Sequence, residues 1–178
     1  MNRALIIIDV QNFYFGENGL EGNILASLNA QKLLHHFRKQ ALPVFHVQHL
    51  TDETNLSEEQ KYIADIHANV KPIEGEVIIS KRTPGSFKGT KLLEKLKEKN
   101  IDELVICGMM SHMCVDTTTR EAFDLDFQCT VIHDACATRA LKFSDKEIPA
   151  AYVHGSAMAS LGFAFAKVVS TEEFLQGN

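Results

Sequence analysis

The sequence predicts an α/β fold, a three-layer α/β/α arrangement around a six-stranded, mostly parallel sheet. Three observations carry this expectation. Short apolar, β-branched runs recur six times along the chain. Amphipathic helical patterns lie between several of them. The first run, residues 4–10 (ALIIIDV), is almost continuously apolar, as expected of a strand buried on both faces of a sheet. Strands that alternate with helices are joined by crossovers, and crossovers give parallel pairing with helices on both faces.

The remaining candidate strands are residues 44–49, 76–80, 103–107, 129–134 and 165–169. The clearest helix spans residues 24–39, where Ala26, Ala30, Leu33, Leu34 and Phe37 share one face behind Asn23 as N-cap. Residues 90–99 repeat the pattern. Ser144 and Glu147 have capping-box spacing and are expected to open a small-residue helix that runs to about residue 161. Thr171 is expected to cap a short final helix. Residues 51–74 lack strand character; their 56–68 portion reads as helical and is a candidate lid.

A chain of 178 residues suits one domain, residues 1–178, because single cores commonly run to about 100 to 200 residues. Its 45% hydrophobic and 23% charged composition is that of a globular protein. The net charge of -5, from 18 basic against 23 acidic residues, offers no basic surface for nucleic acid. Asp9 interrupts the first apolar run too early for a signal peptide or a membrane span, so a cytoplasmic protein with no membrane partner is expected. Cys107, Cys114, Cys129 and Cys136 show no CxxC spacing and read as reduced thiols. Three of them suit small buried hydrophobes; Cys114 is the exception.

In open parallel sheets, ligands bind where the strand C-termini meet the following loops. Asp9 ends the first strand, Lys81 follows the third, and Cys114 lies a few residues past the fourth. Singly, a strand-end Asp is commonly a turn or cap residue and a Lys there is commonly solvated. Together, a carboxylate, an ammonium and a thiol form a nucleophilic set, because the thiol needs a base or positive potential to react.

The residues around these positions are similar to those of the isochorismatase-like cysteine hydrolases, which include nicotinamidases and N-carbamoylsarcosine amidohydrolase. The matching pieces are Asp9-Val-Gln11-Asn-Phe13, Lys81-Arg-Thr-Pro-Gly-Ser86-Phe87, and Gly108-Met-Met-Ser-His-Met-Cys114-Val115-Asp-Thr-Thr118-Thr-Arg120. Asp134-Ala-Cys-Ala137 is a softer fourth piece. The resemblance implies a six-stranded parallel sheet. It also implies that Cys114 is the nucleophile, Asp9 its base and then acid, and Lys81 the cation that favours charged species nearby. It further implies a cis peptide between Met109 and Met110, with the backbone N–H groups of Met110 and Cys114 as oxyanion hole.

Competing motifs fail on spacing. Asp9-Val-Gln11 lacks the second Asp of aspartate-nucleophile phosphatases. The run from Gly85 to Lys91 places Lys88 before Gly89, unlike a P-loop, and Gly16, Gly19 and Gly22 miss a dinucleotide fingerprint. No cofactor is expected. Metal-binding nicotinamidases carry an Asp-x-His element that is absent here, so no metal is expected, although His49, Asp52 and His67 remain conceivable ligands.

The retained Cys114 favours cleavage of a C–N bond in a small amide or ureide. A vinyl-ether hydrolase using Asp9 as acid, or a non-catalytic binding or assembly protein, are the alternatives. Adjacency to the motifs places Phe13, Phe15, His49, Phe87, His112 and Met113 in the expected substrate pocket. Homo-oligomerisation is expected from the resemblance and from the small residues Gly155, Ser156, Ala157 and Ala159.

Overall fold

The computed structural model describes residues 2–50 and 57–177. The first strand, β1 (Arg3–Ile8), is buried at every residue after Arg3, the outcome its unbroken apolar run demands. It is followed by β2 (Val44–His49), β3 (Val77–Lys81), β4 (Glu103–Met109) and β5 (Gln128–Ala137). A short hairpin, β6 (Leu141–Phe143) and β7 (Lys146–Ile148), precedes the last strand, β8 (Lys167–Val169).

Six strands form one parallel sheet in the order β3-β2-β1-β4-β5-β8. The chain moves outward from β1 to β3, then restarts beside β1 with β4. That reversal opens a crevice at the carboxyl ends of β1 and β4, the place where doubly wound sheets bind ligands.

The longest helix, α1 (Asn23–Lys39), turns Ala26, Ala30, Leu33, Leu34 and Phe37 into the core. It packs on β1, β4 and β5 and against the last helix, α6 (Thr171–Gln176). The helices α2 (Glu58–Ala64), α3 (Leu92–Glu98), α4 (Asp116–Asp124) and α5 (Ala150–Ala164) complete the set. Crossovers that reverse direction after β3 put their helices on the opposite face, where α4 and α5 pack together over β5 and β8. No described helix is long and apolar enough to cross a membrane.

Four sequence expectations change in detail. Gly22, with φ +75°, is the N-cap of α1. Asn23 stands one residue inside, where its amide donates to the Tyr14 carbonyl at 2.6 Å. Residues 144–149 are not helical. Leu141–Phe143 and Lys146–Ile148 pair antiparallel across a two-residue turn in which Ser144 has φ +54°. Such tight turns favour a left-handed residue, so strand pairing overrides the local capping-box spacing. Pro149 then caps α5, which starts at Ala150.

The final helix is capped by Ser170 through a capping box with Glu173. Thr171 instead donates from its backbone N–H and its hydroxyl to Asp134, each at 2.7 Å. Lastly, β5 continues past the expected end at Asp134, because an irregularity shifts its register against β4 from Ile106↔Val131 to Gly108↔Cys136. Of the expected contact residues on α5, Gly155, Ser156 and Ala159 are exposed and Ala157 is half-buried, while Val153, Met158 and Leu161 are buried.

Candidate active site

Asp9 leaves β1 in a left-handed conformation, φ +51°, which a short polar residue tolerates better than a branched one. The bend turns its carboxylate into the crevice. Beside it, Gly108 of β4 has φ +130°, and a Cβ there would run into the Ile8 carbonyl oxygen. Only glycine lets β4 approach β1 this closely. The chain then passes through a cis peptide between Met109 and Met110 into a single π-helical turn, Ser111–Val115, that runs directly into α4. Cys114 sits in that turn.

Lys81 is the last residue of β3. Its Nζ lies 2.7 Å from Asp9 Oδ2. The same nitrogen lies 3.3 Å from Cys114 Sγ, 3.2 Å from His49 Nδ1 and 3.1 Å from the Thr83 carbonyl. Asp9, Lys81 and Cys114 are 0, 2 and 7% exposed. The ligand-type atoms of Asp9, His49 and Cys114 fall within 4.8 Å of one another, and the Lys81 ammonium contacts all three. Positive charge is thus built into the centre of the cluster. The loop after β3 is tied to the helix after Cys114: Ser86 Oγ and Thr118 Oγ1 are 2.7 Å apart, and the Phe87 N–H donates to Glu121 at 3.3 Å. This explains why the Lys81 and Cys114 segments occur as linked motifs.

The expected effect of Lys81 on the thiol changes once burial is seen. Burial and the neighbouring Asp9 charge push the Cys114 thiol up to about 12, and Lys81 offsets only part of this. At neutral pH the sulfur therefore keeps its proton. Burial also raises the Asp9 carboxyl above its ordinary 3.8, opposed by the Lys81 charge. The arrangement sets a thiol that burial keeps protonated beside a carboxylate that burial makes more basic.

A cavity of about 500 Å³ opens above Cys114. Phe13, His49, Met110, Met113 and Cys114 line it, as the sequence motifs suggest. Tyr14 and Pro84 add to the wall, and Gln60, Ile63 and Ala64 bring α2 over it. Those last residues lie far from all three motifs in sequence, but they fall within the 56–68 stretch that reads as a helical candidate lid.

Three expected pocket residues point elsewhere. Phe15 stacks on His67 with ring centroids 3.7 Å apart. Phe87 stacks against Phe127 at 6.1 Å, and His112 Nδ1 is 2.6 Å from Thr138 Oγ1. Adjacency in sequence fixes the neighbourhood of a side chain but not its direction. Of the conceivable metal ligands, His49 faces Lys81 and His67 caps the Ala68–Val70 turn; Asp52 lies outside the described residues.

Sequence reasoning passed over one further residue. Gln11 is fully buried. Its amide donates to the His49 carbonyl at 3.0 Å and the Ala64 carbonyl at 2.5 Å, and accepts from the His49 N–H at 2.8 Å. One side chain thereby joins β2, α2 and the loop after β1. A polar residue two places beyond a strand-end carboxylate was the available signal.

The comparisons identify the hydrolase family to which this fold belongs. The isochorismatase domain family matches residues 3–173, and the chain belongs to that family. It is 46% identical to the isochorismatase family protein YddQ of Bacillus subtilis, over 99% of this chain and 100% of that protein. It is 28% identical to Nicotinamidase 3 of Arabidopsis thaliana, over 96% of this chain and 85% of that protein. The crystal structure of an isochorismatase hydrolase from Oleispira antarctica superimposes with a TM-score of 0.92 at 43% identity, covering 99% of this chain and 97% of that one.

Proposed function

We propose that this isochorismatase-family hydrolase is a cysteine-dependent amidohydrolase that cleaves a C–N bond of a small amide or ureide through a thioester. The observation that carries this reading is Lys81 Nζ in contact with both Asp9 Oδ2 and Cys114 Sγ at the floor of the cavity. Asp9 takes the thiol proton as Sγ bonds to the substrate carbonyl carbon. The oxygen becomes an oxyanion that the backbone N–H groups of Met110 and Cys114 are suited to receive. The C–N bond then breaks, Asp9 returns its proton to the departing nitrogen, and the acyl group remains on sulfur.

Water enters next and Asp9 removes one of its protons. Hydroxide adds to the thioester, the C–S bond breaks, and the acid leaves while the sulfur regains a proton. Lys81 stabilises the Asp9 carboxylate when the proton is on the substrate and the transient thiolate when it is on Asp9. No step needs a cofactor. A cysteine at the reaction centre favours this route over vinyl-ether hydrolysis by Asp9 alone, and the relative named as a nicotinamidase supports amide substrates.

The test is ammonia or amine release across a panel of amides and ureides by the wild-type enzyme, Cys114→Ala and Asp9→Asn. The reading expects turnover that both folded variants lose. Undiminished release by either one would reject it.

A further inference from the structure

Cys114 rides on the turn Ser111–Val115, and two side chains of that turn are bonded to other parts of the fold. Ser111 Oγ lies 2.8 Å from His154 Nδ1 on α5, and His112 Nδ1 lies 2.6 Å from Thr138 Oγ1, just past β5. The turn is thereby pinned to two elements. Ser111 directly follows Met110, so its anchor acts on the stretch of backbone that joins Met110 to Cys114.

His154 is the only Lys, Arg, His, Asp or Glu among the 15 residues of α5, and α5 packs directly against the turn. Burial and the neighbouring His133 lower the pKa of His154, so its ring is neutral at neutral pH and one ring nitrogen is free to accept. Ser111 is fully buried, and its hydroxyl has no other hydrogen-bond partner among the described residues. A buried hydroxyl proton without an acceptor is costly, so the Ser111 hydroxyl donates and Nδ1 accepts.

The His154 ring is no part of the substrate wall. It lines a separate cavity of about 300 Å³, together with Thr138, that shares no residue with the one above Cys114. A group so placed reaches the chemistry only through the turn.

We infer that His154 is a positioning residue: by accepting the Ser111 hydroxyl it fixes the turn that presents the Cys114 sulfur and the Met110 and Cys114 backbone N–H groups to the substrate carbonyl. The effect on rate rests on the amidohydrolase reading, whereas the fixing of the turn is independent of it.

Three variants separate the bond from the bulk of the ring. His154→Phe keeps a ring and removes the acceptor, Ser111→Ala removes the donor, and His154→Asn sets an amide close to the place of Nδ1 and restores a partner. With an amide that the wild-type enzyme turns over, the first two should lower kcat by about 10- to 100-fold, because small displacements of reacting groups are costly. KM should change by less than about threefold, since the substrate wall is untouched. His154→Asn should recover most of the loss. Ser111→Ala combined with His154→Phe should be no slower than the slower single variant, because both changes remove the same bond. Wild-type kcat in His154→Phe, or His154→Asn as slow as His154→Phe, would overturn the inference.

If no amide is turned over, the amidohydrolase reading fails and hydrogen exchange decides the inference alone. Within the turn, the Met113 and Val115 N–H groups donate to the Met110 carbonyl at 3.0 and 3.3 Å. Their exchange, read by mass spectrometry on a peptide that spans them, should quicken by about tenfold or more in His154→Phe and Ser111→Ala and stay near wild type in His154→Asn. Should His154→Phe fail to fold, Ser111→Ala, the smaller change, supplies the comparison. Wild-type exchange in the variants that lack the bond, or equal loss of protection in His154→Asn, overturns the inference.

Discussion

Lys81 Nζ and Asp9 Oδ2 form a 2.7 Å ion pair in which neither side chain is exposed to solvent. Such a pair is costly to half-remove, since the remaining charge has no water to return to. Lys81→Met is expected to lower stability by about 3–5 kcal/mol where Asp9 remains ionised. The sign with pH follows from the Asp9 carboxyl, already raised by burial and raised further once its cation is gone. Protonation relieves the unpaired charge, so the deficit is small at pH below the ordinary 3.8, grows as pH rises from there toward the elevated folded value, and levels off above it. Urea unfolding of both proteins at pH 4 and pH 8 checks this; a deficit independent of pH would contradict it.

The same shifts set the pH dependence of turnover. Asp9 must be ionised to take the thiol proton, so kcat/KM should fall on the acid side with an apparent pKa above 3.8. The thiol, held at about 12, should give no step near its usual 8 to 9. Asp9→Asn should lose about 10² to 10⁴ in rate and abolish the acid limb. A profile that rises with a pKa near 8.5 would instead indicate reaction through a free thiolate.

Gln11 acts as the fastener of the pocket wall. Its amide serves three backbone groups, those of His49 and Ala64, and Asn12 adds a bond to the Tyr62 carbonyl at 2.8 Å. Gln11→Leu strands those buried groups at a cost of about 1–3 kcal/mol each for the ones water cannot reach. KM should rise more than kcat falls, and amide hydrogen exchange should quicken across α2. Unchanged exchange in Glu58–Ala64 with altered KM would mean that Gln11 acts by another route.

Gly108 is fixed by the backbone of its neighbour strand. Gly108→Ala would drive Cβ into the Ile8 carbonyl, and the conformation at φ +130° is itself unfavourable for alanine. A loss of about 2–5 kcal/mol is expected from strain and overpacking combined, read as a lower urea midpoint. A wild-type midpoint would contradict the close approach of β1 and β4.

The sheet was readable because each of its strands is a short apolar run, and runs buried on both faces need no subtle periodicity to be noticed. Asp9, Lys81 and Cys114 were readable for a related reason: the ends of parallel strands converge, so chemistry-bearing residues there meet whatever their separation in sequence. What stayed hidden depends on direction and competition. Phe15, Phe87 and His112 neighbour the motifs yet turn toward His67, Phe127 and Thr138. Ser144 and Glu147 satisfy a helix rule locally, but pairing of β6 with β7 claims them first. The height of the Cys114 pKa could not be read at all, since it follows from burial that only the assembled turn creates.

The central claim is that Cys114 carries the acyl group, and mass spectrometry of acid-quenched reactions tests it most directly. With a substrate that turns over, the wild-type enzyme should gain the mass of the acyl group, mapped by digestion to Cys114 with Cys107, Cys129 and Cys136 unmodified. Folded Cys114→Ala should show neither adduct nor turnover. Full turnover by that variant, with no adduct on any cysteine of the wild type, would contradict the thiol mechanism and return the chemistry to Asp9 alone.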